Sequence, residues 1–206
     1  MNLNKIEKLY TQNLETYGID SRAVGWNSPE SQNLRFEKLM FLVENNSKPF
    51  SINELGCGYG ELYKYLKKHK FNFAEFNGYD ISQPMLDSCK DYLMNPNNLF
   101  LYNSSKLSSS ADYSITSGIF NTPFDYSEDK WKKYIKDTIV NLYDNSLKGI
   151  AFNFLTSYVD FRSESLYYQD PAEMLAFCLE NFGKNVKLIH DYPLYEFTIL
   201  IFKNQA

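Results

Sequence analysis

The chain has 206 residues, enough for one domain with one substantial core. A net charge of −4 and a pI near 5.3 argue against a broad nucleic-acid footprint. Cys57, Cys89 and Cys178 are far apart with no C-x-x-C pair, and the only histidines are His69 and His190, so neither a disulfide framework nor a metal site is expected.

In chain order, Leu3, Ile6, Leu9 and Leu14 repeat at roughly helical spacing and predict an amphipathic first helix to about Tyr17. A loop from Gly18 to Asn27 carries Arg22, Gly25 and Trp26. Ser28 then caps a second helix with Pro29 in its first turn and Phe36, Leu39, Met40 and Val43 on its buried face. After Pro49 strands and helices alternate: strand 50–55, helix 60–68, strand 76–81, a helix burying Met85, Leu86, Cys89 and Leu93, and strands 98–102 and 112–117. A helix from Ser127 buries Trp131, Ile135, Thr138, Ile139 and Leu142, and a strand at 149–156 leads into a long loop. Asp170-Pro171-Ala172-Glu173 reads as a capping box opening a last helix that closes near Gly183. Val186–His190 and Tyr195–Phe202 are joined by only four residues, too few for a crossover, so they form an antiparallel pair. The first residues, Met1 to Leu9, are too polar for a signal peptide, and no apolar run is long enough to span a bilayer. The expectation is a cytoplasmic protein without a membrane partner.

The run Ile52-Asn53-Glu54-Leu55-Gly56-Cys57-Gly58-Tyr59-Gly60 carries most of the functional information. A short buried strand breaks into a glycine-rich turn where a helix begins, and Asp80 ends the next strand twenty residues on. Glycines there let a ligand approach the backbone, and an acidic residue at the end of the second strand is placed to accept ribose hydroxyls. A dinucleotide site wants G-x-G-x-x-G and leaves room for a pyrophosphate. Here the third glycine comes one position early, and Glu61 stands where glycine is wanted. A carboxylate at that place would repel a pyrophosphate.

Glu54-x-Gly56-x-Gly58-x-Gly60 followed by Asp80 resembles motif I and the next acidic residue of the class I S-adenosylmethionine-dependent methyltransferases. That cofactor has a sulfonium, an ammonium and a carboxylate but no phosphate, so acidic neighbours suit it. The resemblance covers about 50–203 and implies a Rossmann-like, doubly wound α/β sheet of seven strands with the last antiparallel. Residues 1–49 form an N-terminal helical extension that caps or covers the core at 50–206. It further implies that Gly56, Gly58 and Gly60 frame the methionine part and that Glu54 lies near its ammonium. Asp80 holds the ribose, Ile81 and Met85 flank the adenine, and Asn103 or Ser104 lies where relatives place an acidic partner for the adenine amine. Ser117, at the end of the fourth strand, is a further cofactor candidate. S-adenosyl-L-homocysteine is the implied product.

Acceptor recognition is expected from segments outside the core strands, in a loop near 157–169 and in the N-terminal section. Substrate candidates are Trp26, Asn121, Tyr158, Tyr167, Tyr168 and His190, with Arg22 and Arg35 able to close over the cofactor or meet an acidic acceptor. His190 or Tyr158 is the candidate for catalysis, should the acceptor need a base. Each of these residues also has an ordinary structural reading: aromatic packing over a sheet edge, a turn, or a hydrogen-bonded histidine. Asn121-Thr122-Pro123-Phe124 looks like the Asn-Pro-Pro-Tyr/Phe signature of methyltransferases acting on amino groups of adenine or glutamine, but departs at its second position. Aromatic residues make up 17% of the chain, which fits either a compositional bias or an aromatic-lined pocket for a cationic cofactor. The expected activity is methyl transfer to a small molecule, at oxygen or nitrogen rather than carbon, by a monomer or homodimer that does not bind nucleic acid. The alternatives are a protein or nucleic-acid methyltransferase and a silent cofactor-binding subunit.

Overall fold

The computed structural model describes residues 3–43 and 48–203; residues 1–2 and 44–47 of the expected extension and 204–206 of the expected core lie outside them. The strands are β1 (Phe50–Leu55), β2 (Phe73–Asp80), β3 (Leu99–Asn103), β4 (Ala111–Thr116), β5 (Ser146–Leu155), β6 (Val186–Ile189) and β7 (Glu196–Phe202). They join into one sheet in the order β3-β2-β1-β4-β5-β7-β6. Strands β1 to β5 pair in parallel, and β7 runs antiparallel to both β5 and β6. Strand order reverses between β1 and β4, which makes the gap above their carboxyl ends the topological switch point.

Alternation along the central strands sorts the core into two layers. Ala151 and Leu200 face one layer with Phe36 and Leu39 of α2 (Pro29–Met40) and Leu62 and Leu66 of α3 (Glu61–Lys68). Ile150, Phe152, Ile199 and Ile201 face the other, against Trp131, Ile135 and Ile139 of α5 (Glu128–Asp144) and Met174 and Cys178 of α6 (Pro171–Phe182). Helix starts follow their caps: the Ser28, Ser82 and Asp170 side chains each accept from a backbone N–H of the first turn, with proline at the helix start. Strand β5 begins three residues earlier than the sequence pattern suggests. Gly149 sits inside it, at a place where a Cβ would lie 2.6 Å from the Ile201 carbonyl of β7.

Helix α1 (Asn4–Tyr17) has no fully buried residue. Its partly buried Tyr10 and Leu14 pack with Ala23, Tyr59 and Met85, against α4 (Gln83–Tyr92), at the carboxyl edge of the sheet. Among the described residues no helix is long and apolar enough to cross a membrane.

Candidate functional site

A cleft opens at the switch point. It holds about 920 Å³ of empty space with its open mouth included. Its floor is the turn after β1 with Glu54, Gly56, Cys57, Gly58 and Tyr59. Asp80, Ile81, Met85 and Ser104 close one side, and Ser117, Gly118 and Ile119 after β4 close the other. The roof comes from Leu3 at the start of α1, from Ile6 and Tyr10 within it, and from Val24 and Trp26.

The turn is tied to both neighbouring strands. Gly56 and Cys57 donate their N–H groups to the Tyr79 carbonyl at 2.7 and 3.1 Å, and the Thr116 hydroxyl donates to the Leu55 carbonyl at 2.7 Å. Gly58 has φ +52°, and a Cβ on it would stand 2.8 Å from Val24. Asp80 accepts from Gly58 N–H and Ser82 N–H, each at 2.9 Å, so the second strand's acid also braces the glycine turn. Burial pushes its carboxyl above the ordinary carboxylate range, and backbone donors at Ser82, Gly58 and Ile81 partly offset this. Glu54 is raised well above that range, first by burial and then by the charges of Cys89, Asp80 and Glu61. Two polar atoms of this cleft, Glu54 Oε2 and Ser117 Oγ, are buried without any protein partner. Such orphaned groups are rare, and a polar ligand satisfies them.

No family model matches the chain. Over 163 residues it is 39% identical to the Mycobacterium tuberculosis (strain ATCC 25618 / H37Rv) protein named "Putative methyltransferase Rv1506c", covering 78% of this chain and 98% of that one. The chain belongs to the class I S-adenosylmethionine-dependent methyltransferases. Its fold matches the Synechocystis PCC 6803 magnesium protoporphyrin IX methyltransferase solved with bound S-adenosylhomocysteine, at TM-score 0.60 and 14% identity over 85% of this chain and 84% of that one. It also matches the methyltransferase domain of a bacterial Hen1, at TM-score 0.61 and 17% identity over 84% and 99% of the two chains. Hen1 is also found in a Pnkp1/Rnl/Hen1 RNA repair complex.

One solved structure of like fold is a complex with S-adenosylmethionine. The cleft fits that molecule: two unpartnered buried polar atoms and three carboxylates, from Glu54, Glu61 and Asp80, face a ligand that carries an ammonium, hydroxyls and a sulfonium. When bound, it supplies a methyl group already activated on sulfur. The chain's part would be position and dryness: holding donor and acceptor in line beneath the roof.

The site residues expected from sequence divide into two groups. Glu54, Gly56, Gly58, Asp80, Ile81, Met85, Ser104, Ser117 and Trp26 all line the cleft. Gly60 does not; a Cβ there would meet Cys89 Sγ of α4 at 2.6 Å and Leu93 Cδ1 at that helix's end at 2.7 Å, so its requirement is packing. Asn103 is spent on the carbonyls of Asp80 and Ile81, and the Ser104 hydroxyl on its own turn at Lys106. Asn121 is buried beside the cleft rather than in its wall, its backbone carbonyl accepting from Tyr167 N–H. Tyr167 is buried with its hydroxyl donating to Gln169, and the Tyr168 hydroxyl accepts from Ser163 N–H.

Tyr158 and His190 do come together, ring centroids 6.1 Å apart, but away from the cleft. Strand β6 is four places from β1 in the sheet, and strands lie about 4.8 Å apart, so the two strands are separated by about 19 Å. Arg22 is engaged by Asp20, and Arg35 by Glu196.

Cleft residues absent from the sequence reading are Tyr10, Val24, Gln32, Phe36, Tyr59, Ser105 and Tyr134 among others. One signal was available: Leu3, Ile6 and Tyr10 fall at i, i+3 and i+7 and share a helix face. Burial holds the Tyr134 hydroxyl up at about 12 and raises that of Tyr10, whose hydroxyl pairs with Thr122.

Proposed function

We propose that this methyltransferase acts on a small acceptor that is uncharged or cationic at its reacting end, at oxygen or nitrogen. The observation carrying this reading is the charge of the cleft. Among the described residues, its lining includes three carboxylates and no lysine, arginine or histidine, while Tyr10, Trp26, Phe36, Tyr59 and Tyr134 give it aromatic surface. A carboxylate or phosphate acceptor would find no cationic side chain there to pair with. In this reading Gly56 and Gly58 admit the methionine part, Glu54 and Ser117 meet its polar ends, Asp80 takes the ribose, and Ile81 and Met85 flank the adenine. Helix α1 and the Val24–Trp26 stretch act as the cover, which explains why α1 turns an apolar face to the cleft yet buries no residue fully.

One observation favours a second reading. A basic groove lined by Lys106, Lys130 and Lys133 joins the cleft at Leu3, Ser105 and Tyr134, which suits an acceptor with phosphates, such as an RNA end. Lys133 is already paired with Asp137, and the chain is acidic overall, so we place this reading second. Incubating the protein with methyl-labelled S-adenosylmethionine and pooled neutral, amine, carboxylate and RNA acceptors tests both. Label in the neutral or amine pool is expected. Label confined to RNA or carboxylates overturns the proposal, and cofactor binding without transfer to any pool supports a silent subunit instead.

A further inference from the structure

Five residues outside the motif, four of them buried, form a closed ring of contacts around the end of β4. The Trp26 indole covers Gly118 so closely that a Cβ on Gly118 would overlap the ring. The Arg35 guanidinium lies over that indole, 3.8 Å from its centroid. Arg35 Nε donates to both Glu196 carboxylate oxygens at 2.9 Å, and Nη2 donates to one of them. Glu196 also accepts from Asn153 Nδ2 at 2.8 Å, and Asn153 Oδ1 accepts from Gly118 N–H at 2.9 Å, which returns the path to its start. The ring joins α2, the first residue of β7, β5 and the turn after β4. Trp26 and Gly118 line the cleft, and so do Gln32 and Phe36, which flank Arg35 on its helix.

We propose that Arg35, acting through Glu196 and Trp26, is a positioning residue for methyl transfer: it sets the wall formed by Ser117–Ile119 and seats Trp26 over it. Stability alone is a poor reason for such a pair. An Arg–Glu pair this deeply buried, with Arg35 8% and Glu196 1% exposed, carries a desolvation cost that apolar packing avoids. Arg35 Nη1 is moreover left without a partner. What the pair provides is direction. A planar fork chelating one carboxylate fixes the guanidinium in rotation, and a fixed guanidinium fixes the ring stacked on it. Lysine at this place would keep the charge and lose both.

The inference rests on the cofactor reading, and the test separates the two. S-adenosylhomocysteine affinity is measured by calorimetry for the wild type, Arg35→Lys, Glu196→Gln and the double variant Arg35→Met/Glu196→Leu. Trp26 is followed by acrylamide quenching; Trp131 is wholly buried, so any gain reports on Trp26. Arg35→Lys and Glu196→Gln are expected to weaken binding about tenfold and raise quenching. The double variant, freed of a lone buried charge, is expected to regain thermal stability but not affinity. A merely structural pair predicts that both recover together, and that result overturns the inference. So does binding within about twofold of wild type in both single variants. A wild type that binds no S-adenosylhomocysteine overturns the cofactor reading and this inference with it.

Discussion

Two groups of residues sit at the same carboxyl edge of the sheet and differ in every respect that matters for chemistry. Around β1 and β2, Glu54, Gly58 and Asp80 converge on the cleft, buried, braced by backbone donors and left with unsatisfied polar atoms. Around β5 and β6, Tyr158 is 66% exposed, Phe161 79% and Tyr195 56%, and His190 is exposed beside them. The second group has the residue types that catalysis favours, and the first has the geometry. A strand end belongs to a site only when it lies beside the point where strand order reverses. The insertion of β7 between β5 and β6 carries His190 to the far edge.

Gly58→Val tests the first group most severely. The branched side chain enters a left-handed position 2.8 Å from Val24 and fills the approach to the backbone, so S-adenosylhomocysteine binding is expected to be lost altogether in calorimetry. Retained affinity would show that the ligand does not lie over this turn. Asp80→Ala is expected to cost about 2 kcal/mol of binding, roughly thirtyfold in affinity, through loss of a charge-assisted contact and of the brace on Gly58. An affinity unchanged in Asp80→Ala would break the assignment of the ribose to this carboxylate.

Glu54 gives a prediction with a sign. Its folded-state pKa is raised, so between the ordinary carboxylate value and that raised value the folded chain binds more protons than the unfolded one. Its contribution is therefore favourable at low pH and is lost as pH rises through the folded value. Glu54→Gln removes this slope. The ligand-free protein is expected to melt about 2–4 °C higher at neutral pH, the shift that about 1 kcal/mol gives in a chain of this size. S-adenosylhomocysteine affinity is expected to fall about tenfold, toward the weak end for a hydrogen bond to a charged group. In the wild type, affinity should rise with pH as Glu54 ionises, and in Glu54→Gln that rise should vanish. A variant that binds as tightly as wild type at all pH values would take Glu54 out of the site.

The parts of the site that were legible in the sequence are those where backbone geometry dictates residue type. Glycine at 56 and 58 and an acid at 80 are demanded by the turn and by the strand end, and the element order fixed the fold class for the same reason. The roof was half legible. Trp26 stood out as a rare residue in a loop, whereas Tyr10 did not, because one tyrosine among many on an otherwise aliphatic helix face carries no signal of its own. Tyr59 and Tyr134 were hidden by abundance: in a chain this rich in tyrosine and phenylalanine, no single ring is informative. The Arg35–Glu196 pair spans 161 positions and leaves no local pattern. Cys57 and Cys89 likewise looked unrelated at a distance, yet their thiols hydrogen-bond beneath the glycine turn.

The smallest expected effects belong to the second group. His190→Ala and Tyr158→Ala alter two exposed side chains that face each other rather than the cleft. Surface changes of this kind stay within about 0.5 kcal/mol, so cofactor affinity and turnover should each remain within about twofold of wild type. The Tyr195 hydroxyl already bonds to Asp160 at 2.5 Å, tying the loop after β5 to the start of β7, and this is the tether that would have to break before Tyr158 moved inward. Tyr195→Phe removes the tether alone. If His190→Ala or Tyr158→Ala cut turnover tenfold while leaving S-adenosylhomocysteine binding intact, the loop must swing over the switch point during the reaction. Tyr195→Phe should then change turnover as well. If all three variants turn over normally, the acceptor is held entirely between the glycine turn and the N-terminal cover, and distance along the sheet is what separates the two groups.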